Sequence, residues 1–377
     1  MAESGGQRHP RDRDGWRKLG AFWIGALSLM AAGTGAVQWV GAPSTPAGPS
    51  REAVAMHLPV VPRGADDRKV AIVIAAPAPV PPLVVGRDTP GPIADPDPAL
   101  LEPLTARAKE NLPRISSDGR AAMQVYAAGF DHSSRRPRVG LLLAGIGMNE
   151  AESDAAIRAL PGGVSLAVSP YATNLAKLLA TARTAGHEYL IAIPMEPAGF
   201  PLNDPGPYTL MTSASLATNV QNLRWALSRI DGYVGATGVI GTMRGERLAA
   251  MADQMEALLS EFSERGLMYV DPRERGMARK GGAVAKTWGR HADLVIDDPS
   301  DRDVADRAMI DAKLAALEQH AKDTGSALGI VMRPLPVTVA RIAAWSSGLA
   351  DRGLALAPVS ALALPPAEVT VKLSERD

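Results

Sequence analysis

The chain has 377 residues, enough for two average domains, and its 40 basic residues balance 40 acidic ones, so no global field favours nucleic acid or another polyanion. Cysteine is absent, which removes disulfides, thiolate metal sites and a cysteine nucleophile.

Residues 1–18 contain Arg11, Arg13, Arg17 and Lys18 and read as a short cytoplasmic N-terminus. Residues 19–41 follow with no charge, a run long enough to cross the ~30 Å of bilayer hydrocarbon as a helix. Trp16, Trp23 and Trp39 lie near its ends, where indole rings favour the membrane interface. Basic residues ahead of an apolar span place the N-terminus inside and everything after the span outside. The expectation is a single-pass protein of a bacterial inner membrane with its C-terminal domain in the periplasm. The competing reading is a cleaved signal peptide, suggested by the small residues between Met30 and Ala36. The apolar run continues past them, however, and exceeds a signal core of roughly 7–15 residues.

Of the 31 prolines, 16 lie between Pro43 and Pro137. Proline lacks the N–H that a ladder of backbone hydrogen bonds needs, so residues 42–122 are expected to be an extended linker. Within it, residues 69–75 read as a lone strand, and 100–128 as one or two helices leaning on the domain.

From Arg138 onward, short runs of Val, Ile and Leu alternate with Ala-rich segments of helical spacing, which predicts β-α units around a parallel sheet. Strands are expected at 139–144, 164–168, 189–193, 233–237, 267–270, 293–296, 327–332 and 354–357. Helices are expected at 150–160, 175–185, 215–229, 248–264, 303–322 and 337–349. Several of these end at Gly186, Gly266, Gly325 and Gly353, where a left-handed C-cap is wanted. Seven or eight units predict a distorted (β/α)7-8 barrel over residues 123–366, with 367–377 as a tail. An open doubly wound sheet is the alternative.

Chemistry in such a barrel collects at the C-terminal ends of the strands. Those ends carry Ala144-Gly-Ile-Gly147, Ser169-Pro-Tyr171, Pro194-Met-Glu-Pro197, Gly238 to Thr242, Asp271-Pro-Arg273, Asp297-Asp298 and Arg333-Pro334. The candidate cleft side chains are Glu196, Asp271, Arg273 and Arg333. Glu196, between two prolines, reads either as an acceptor for a ligand or as a carboxylate capping backbone N–H groups or pairing with Arg333. Asp271 and Arg273 read as an ion pair fixing their loop. His187 reads as structural, on the end away from the cleft, and His291 as lying on that same far end. His9 falls in the cytoplasmic segment, His57 and His132 in the linker region and His320 on a helix face. Asp297, Asp298, Asp301 and Asp303 read as a turn and N-cap, with a cation site as the alternative. Gly145-Ile-Gly147 lacks the third glycine of a dinucleotide fingerprint, and no nucleophile elbow or phosphate loop occurs.

Several segments stand in a telling order: Tyr126-Ala, Phe130-Asp131, Leu160-Pro, Val164 to Tyr171, Gly186-His-Glu188, Pro194-Met-Glu-Pro197, Asn203 to Gly206, Gly241, Leu267 with Asp271 and Arg273, and Pro358 to Leu362. Together they resemble the divergent polysaccharide deacetylases, a branch of the metal-dependent carbohydrate esterases with a distorted β/α barrel. The resemblance spans about residues 123 to 365. It implies a divalent metal held by an aspartate and histidines, which polarises the acyl carbonyl and generates a hydroxide-like nucleophile, with a second aspartate as base.

The chain departs from that pattern at the metal. The family's Asp-Asp or Asp-Gly pair falls on Ala144 and Gly145, its Asn-Asn-His-Met-Gly-Ser segment puts Val239 in the place of the histidine, and its late Gly-His-Pro puts Arg333 in the place of another. The expectation is a protein without metal or cofactor and with no assigned catalytic residue. Such a homologue would be catalytically impaired and would bind envelope glycan of peptidoglycan type or an envelope protein, but no nucleic acid. The alternatives are an active metal-dependent N- or O-deacetylase with ligands drawn from Glu196, Asp271 and other residues, and an envelope scaffold that binds no sugar.

Overall fold

The computed structural model describes residues 87–105, 110–274, 286–298 and 306–366. The segments 1–18 and 19–41, the strand expected at 69–75 and the tail 367–377 lie outside the described residues. Among the described residues, no helix is long and apolar enough to cross a membrane.

The described chain begins with an arm that packs on the domain. A 3-10 turn at Pro98–Leu100 leads into β1 (Leu101–Pro103), which pairs antiparallel with β2 (Asn111–Pro113), and a single helical turn, α1 (Ala122–Val125), follows. The helices expected over 100–128 thus give way to a turn, a hairpin and one short helix, because Pro98, Pro103 and Pro113 interrupt any longer one. The linker boundary also moves. Ile93, Leu100 and Leu112 are buried in the same apolar core as the barrel strands, so the folded part includes residues assigned to the linker from sequence. Arg265 reinforces the junction by donating to Glu102 at 2.7 Å and to the Pro113 carbonyl at 3.0 Å.

The barrel follows as β3 (Arg138–Ile146), α2 (Glu150–Ala159), β4 (Ser165–Val168), α3 (Leu175–Thr184), β5 (Tyr189–Ala192), α4 (Leu216–Leu227) and β6 (Gly235–Thr237). It continues through α5 (Glu246–Ala249), α6 (Ala252–Glu264), β7 (Met268–Glu274), β8 (Gly289–Ala292), β9 (Leu294–Val295), α7 (Arg307–Thr324), β10 (Ser326–Val331), α8 (Pro336–Ser347) and β11 (Ala355–Leu356). The one helix expected over 248–264 is divided, since Met251 takes an extended conformation between α5 and α6. β8 was not anticipated, because Gly289-Arg-His-Ala292 lacks the apolar texture of the other strands.

The strands form one parallel sheet in the order β8-β7-β6-β5-β4-β3-β10-β9, with β11 beside the start of β3. Its first and last members, β8 and β9, are separated in the chain by Asp293 alone, so the sheet is a nearly closed barrel. Asp293 secures that seam. Its Oδ2 accepts from the Leu328 N–H and from Arg290 Nη2, each at 2.8 Å, and its own N–H donates to the Leu328 carbonyl at 2.9 Å. A bent strand exposes backbone groups that its neighbours no longer reach, and here a side chain meets one of them.

Register tells which residues face inward. A Cβ at Gly140 would sit 2.5 Å from Leu362, in the 3-10 turn Val359–Leu362 that closes the lower end of the barrel. A Cβ at Gly329 would instead meet Leu317 of α7, outside. Leu142 and Ala144 therefore face in with Gly140, and the pairings carry the same face to Ser165, Leu190, Gly235, Met268, Arg290 and Val295.

At the lower end the motif Gly186-His-Glu188 is a staple. The fully buried Glu188 carboxyl accepts four hydrogen bonds: from the Ala128 N–H (3.0 Å), Ser165 Oγ (2.8 Å), the Ser360 N–H (2.9 Å) and Ser360 Oγ (2.5 Å). The ring nitrogens of buried His187 lie 2.7 and 3.0 Å from the carbonyl oxygens of Val164 and Ile157. The arm, β4 and the C-terminal turn, far apart in sequence, meet at one carboxyl group. Because each of its oxygens accepts a backbone N–H, Glu188→Gln sets an amide NH2 against one of those donors. Loss of about 2–3 kcal/mol in urea unfolding is expected. Arg158→Ala, which breaks an exposed helical pair with Asp154, should change stability by less than about 0.5 kcal/mol.

Candidate functional site

The upper end of the barrel, where the strands finish, is largely apolar. Ala144, Val239 and Met332 are buried, as is Ile240. Gly145 has φ of +75°, and a Cβ there would meet the Met332 carbonyl oxygen and Pro334 Cδ, each at 3.3 Å. A left-handed backbone in so narrow a space suits glycine and resists an aspartate. Ala144, Gly145 and Val239 therefore present no side-chain donor where the strand ends converge.

Glu196 is at the rim but is fully engaged. Its Oε2 accepts from the N–H and Oγ1 of Thr212 at 2.6 and 2.7 Å, and its Oε1 lies 2.9 Å from Arg247 Nη1. Burial alone would push this carboxyl up, but the two Thr212 hydrogen bonds and the Arg247 charge outweigh burial and hold it below its ordinary value. Its partner is Arg247 rather than Arg333, and the contact joins the loop after β5 to α5.

Asp271 and Arg273 form a buried pair, Arg273 Nη2 donating to Asp271 Oδ2 at 2.6 Å and Nε to Oδ1 at 3.0 Å. By the alternation of β7 Asp271 shares a face with Tyr269, whose ring stacks on Phe262 of α6 at 5.4 Å. That is the helix side of the sheet, opposite to the face of Val270. His291 was expected at the far end of the barrel. Since β8 pairs Asp271 with His291, the imidazole lies instead beside that ion pair, its Nδ1 3.5 Å from Asp271 Oδ2.

The inward carboxyl of the upper layer belongs to Asp297, assigned from sequence to a turn. Two residues beyond Val295, it returns to the interior face and is 1% exposed. Oδ1 accepts the Met332 N–H at 2.6 Å, while Oδ2 has a long contact of 3.4 Å to the Arg333 N–H. Burial pushes the carboxyl up to about 7, against the pull of these N–H groups and of Arg333. Strand periodicity carried through residues 293–297 would have found it. The turn-like string of aspartates obscured that signal. Asp298 faces the other way and approaches Arg244 Nη2 at 3.5 Å.

Arg333 follows β10 with its side chain exposed, and among the described residues no ion pair holds its guanidinium. The structure thus separates the four sequence candidates. Glu196 is at the rim, paired with Arg247, Arg333 is exposed at the end of β10, and Asp271 with Arg273 is a separate buried unit. Among the described residues there is no group of three or more His, Cys, Asp or Glu able to hold a metal ion. The side chains at the strand ends do not fit an aspartate-histidine metal centre.

A family model described as divergent polysaccharide deacetylase matches residues 141–363. The crystal structure of an uncharacterised protein from Agrobacterium tumefaciens C58 is similar at 30% identity and a TM-score of 0.61, covering 67% of this chain and 99% of that one. An uncharacterised protein of Haemophilus influenzae is 27% identical over 227 residues, 58% of this chain and 74% of its own length. A family 4 carbohydrate esterase from Streptomyces lividans in complex with acetate is more distant, at 16% identity and a TM-score of 0.34 over 59% of this chain and 92% of that one.

The Asp297 carboxyl makes stability depend on pH in a defined direction. Its folded value, about 7, lies above the ordinary 3.8, so the folded state holds the proton more tightly between those values. Its contribution is complete below about 3.8 and is lost as pH rises toward 7, by at most about 4 kcal/mol. Asp297→Asn keeps an oxygen for the Met332 N–H and cannot ionise. Urea midpoints at pH 4.5 and 7.5 should show the variant gaining on the unaltered protein at the higher pH, and an unchanged difference between the two proteins would contradict the assignment.

Proposed function

The chain belongs to the divergent polysaccharide deacetylase family, and from that premise we propose that it is a membrane-anchored, non-hydrolysing member that binds envelope glycan at the mouth of its barrel. The observation that carries this reading is the set of side chains at the strand ends. Hydrolysis of an acetamide at neutral pH requires a polarised carbonyl and an activated water. Ala144, Gly145 and Val239 supply neither a ligand nor a base, and Ile240 and Met332, the chain neighbours of Val239 and Arg333, are buried apolar residues.

Arg333 gives the mouth a different capability. An exposed guanidinium presents a planar fork of donors suited to a carboxylate, and the glycan chemistry that supplies one is an acidic amino sugar of the muramic type. The chain then holds a polysaccharide without cutting it. The anchoring part of the proposal rests on the uncharged run at 19–41 and the basic residues before it, which orient the barrel toward the glycan.

Two measurements test the parts separately. Co-sedimentation of the full-length protein with insoluble peptidoglycan should show saturable binding, weakened about tenfold or more by Arg333→Ala, in keeping with ~1.5–3 kcal/mol for a charge-assisted contact, and partly kept by Arg333→Lys. Equal binding by Arg333→Ala, or none by the unaltered protein, counts against the reading. In membranes from producing cells, the protein should resist extraction by alkaline carbonate and be degraded by protease added from the periplasmic side. Release by carbonate would remove the anchor.

A further inference from the structure

The first residues past β10 are held from two sides. On one side the Met332 N–H donates to Asp297 Oδ1 at 2.6 Å, and the Arg333 N–H approaches Oδ2 of the same carboxyl at 3.4 Å. On the other, Gly145 lies so close that a Cβ there would be 3.3 Å from the Met332 carbonyl oxygen and 3.7 Å from Arg333 Cα. Beyond Arg333 the chain turns at once, the Leu335 N–H donating to the Arg333 carbonyl at 2.9 Å before α8 begins at Pro336. Pro334 and Pro336 stiffen that turn. One buried carboxyl therefore meets the backbone N–H of the residue whose exposed guanidinium leaves the barrel there.

Among the described residues, the charge that acts most on Asp297 is the Arg333 guanidinium. The other titratable and charged groups of the neighbouring segments are turned to partners of their own. Asp298, the next residue in the chain, approaches Arg244 of the loop after β6, and Arg244 also meets Glu246 of α5. His291 of β8 lies beside Asp271, and His320 of α7 beside Asp293. Burial disfavours the Asp297 anion, and the N–H groups with the Arg333 charge oppose burial, so this carboxyl changes charge near neutrality.

We infer that Asp297 is a positioning residue for Arg333: ionised, it competes with a ligand carboxylate for the guanidinium, and protonated, it releases the guanidinium, so an acidic glycan is held more tightly on the acid side of neutrality. This rests on the glycan-binding reading of Arg333 and adds its regulation. A carboxylate accepts more strongly than a neutral acid, which draws the Arg333 N–H toward Oδ2. Its charge attracts the guanidinium and repels a carboxylate bound there. Both effects weaken binding of an anion. The protonated acid still offers Oδ1 to the Met332 N–H, so the segment stays in place when the charge is gone. The ligand carboxylate remains ionised throughout, whereas Asp297 loses its proton as pH rises through about 7. Binding is then at full strength below that value and falls above it. By linkage, a bound carboxylate raises the proton affinity of Asp297 by the same factor, so binding at neutral pH takes up protons.

The test is co-sedimentation of the full-length protein with insoluble peptidoglycan at about pH 6 and about pH 8.5, at one ionic strength. The unaltered protein should bind about fivefold or more weakly at the higher pH, within the usual range for coupled sites. Asp297→Asn keeps the shape without the charge and should vary by less than about twofold between the same two conditions. Arg333→Lys keeps a cation and should keep the fall. A second measurement needs no variant: at pH 7 in weak buffer, a soluble oligosaccharide carrying free muramic carboxylates should bind the unaltered protein with uptake of protons. An equal fall in Asp297→Asn, binding by the unaltered protein that does not change with pH, or binding without proton uptake overturns the inference. Loss of binding in Arg333→Ala that persists through those failures leaves the reading of Arg333 standing. Absence of binding by the unaltered protein at both pH values sinks the two together.

Discussion

The barrel depends on one buried carboxyl group. Glu188 sits at the lower end of β5, where it collects an N–H from the arm, a hydroxyl from β4, and both the N–H and hydroxyl of Ser360 in the closing turn. A side chain buried among strands must satisfy its oxygens, and Glu188 does so with groups from three segments far apart in sequence. The C-terminal turn is thereby fixed across the barrel floor, where Leu362 fills the space left by Gly140, and Val359 is tied to Ser165 Oγ at 2.9 Å. The seam at Asp293 and Arg290 completes the closure from the same end, Arg290 also reaching the Ser326 carbonyl at 3.0 Å.

With the scaffold fixed from below, the upper end is free to change its chemistry while the fold stays the same. The polar groups near the rim are engaged in building loops. Glu196 joins the loop after β5 to α5 through Thr212 and Arg247, while Arg244 links the loop after β6 to Glu246 and Asp298. Asp271 and Arg273 hold each other on the outer face. The inward strand positions near this end include Ala144, Ala167 and Ala192 with Thr237 and Asp297, and what faces solvent at the end of β10 is a cation, Arg333.

Much of the fold was legible in the sequence because the inner strands are continuous apolar runs separated by helices that end at glycine. β3, β5 and β10 are found within two residues of their expected ends. β8 was not legible, since Arg290 and His291 are polar residues in a short strand whose partners are fixed only by closure of the barrel. The packing of Leu100 and Leu112 was hidden by prolines, which forbid long helices yet suit a short hairpin and a 3-10 turn. At the site, the resemblance singled out Ala144, Gly145, Val239 and Arg333, which the structure places at or just beyond the strand ends. The pairing of Glu196 with Arg247 could not be read, because α5 meets the loop after β5 only in three dimensions. The inward position of Asp297 required the register of β9 on β10.

The central claim is that this barrel keeps the family's architecture without its hydrolytic centre. Acetate release from an acetylated amino-sugar oligosaccharide, measured with the full-length protein in saturating zinc, nickel or cobalt, tests it most directly. The account predicts no release above that of the metal-containing buffer, and metal-dependent release in proportion to protein concentration would contradict it.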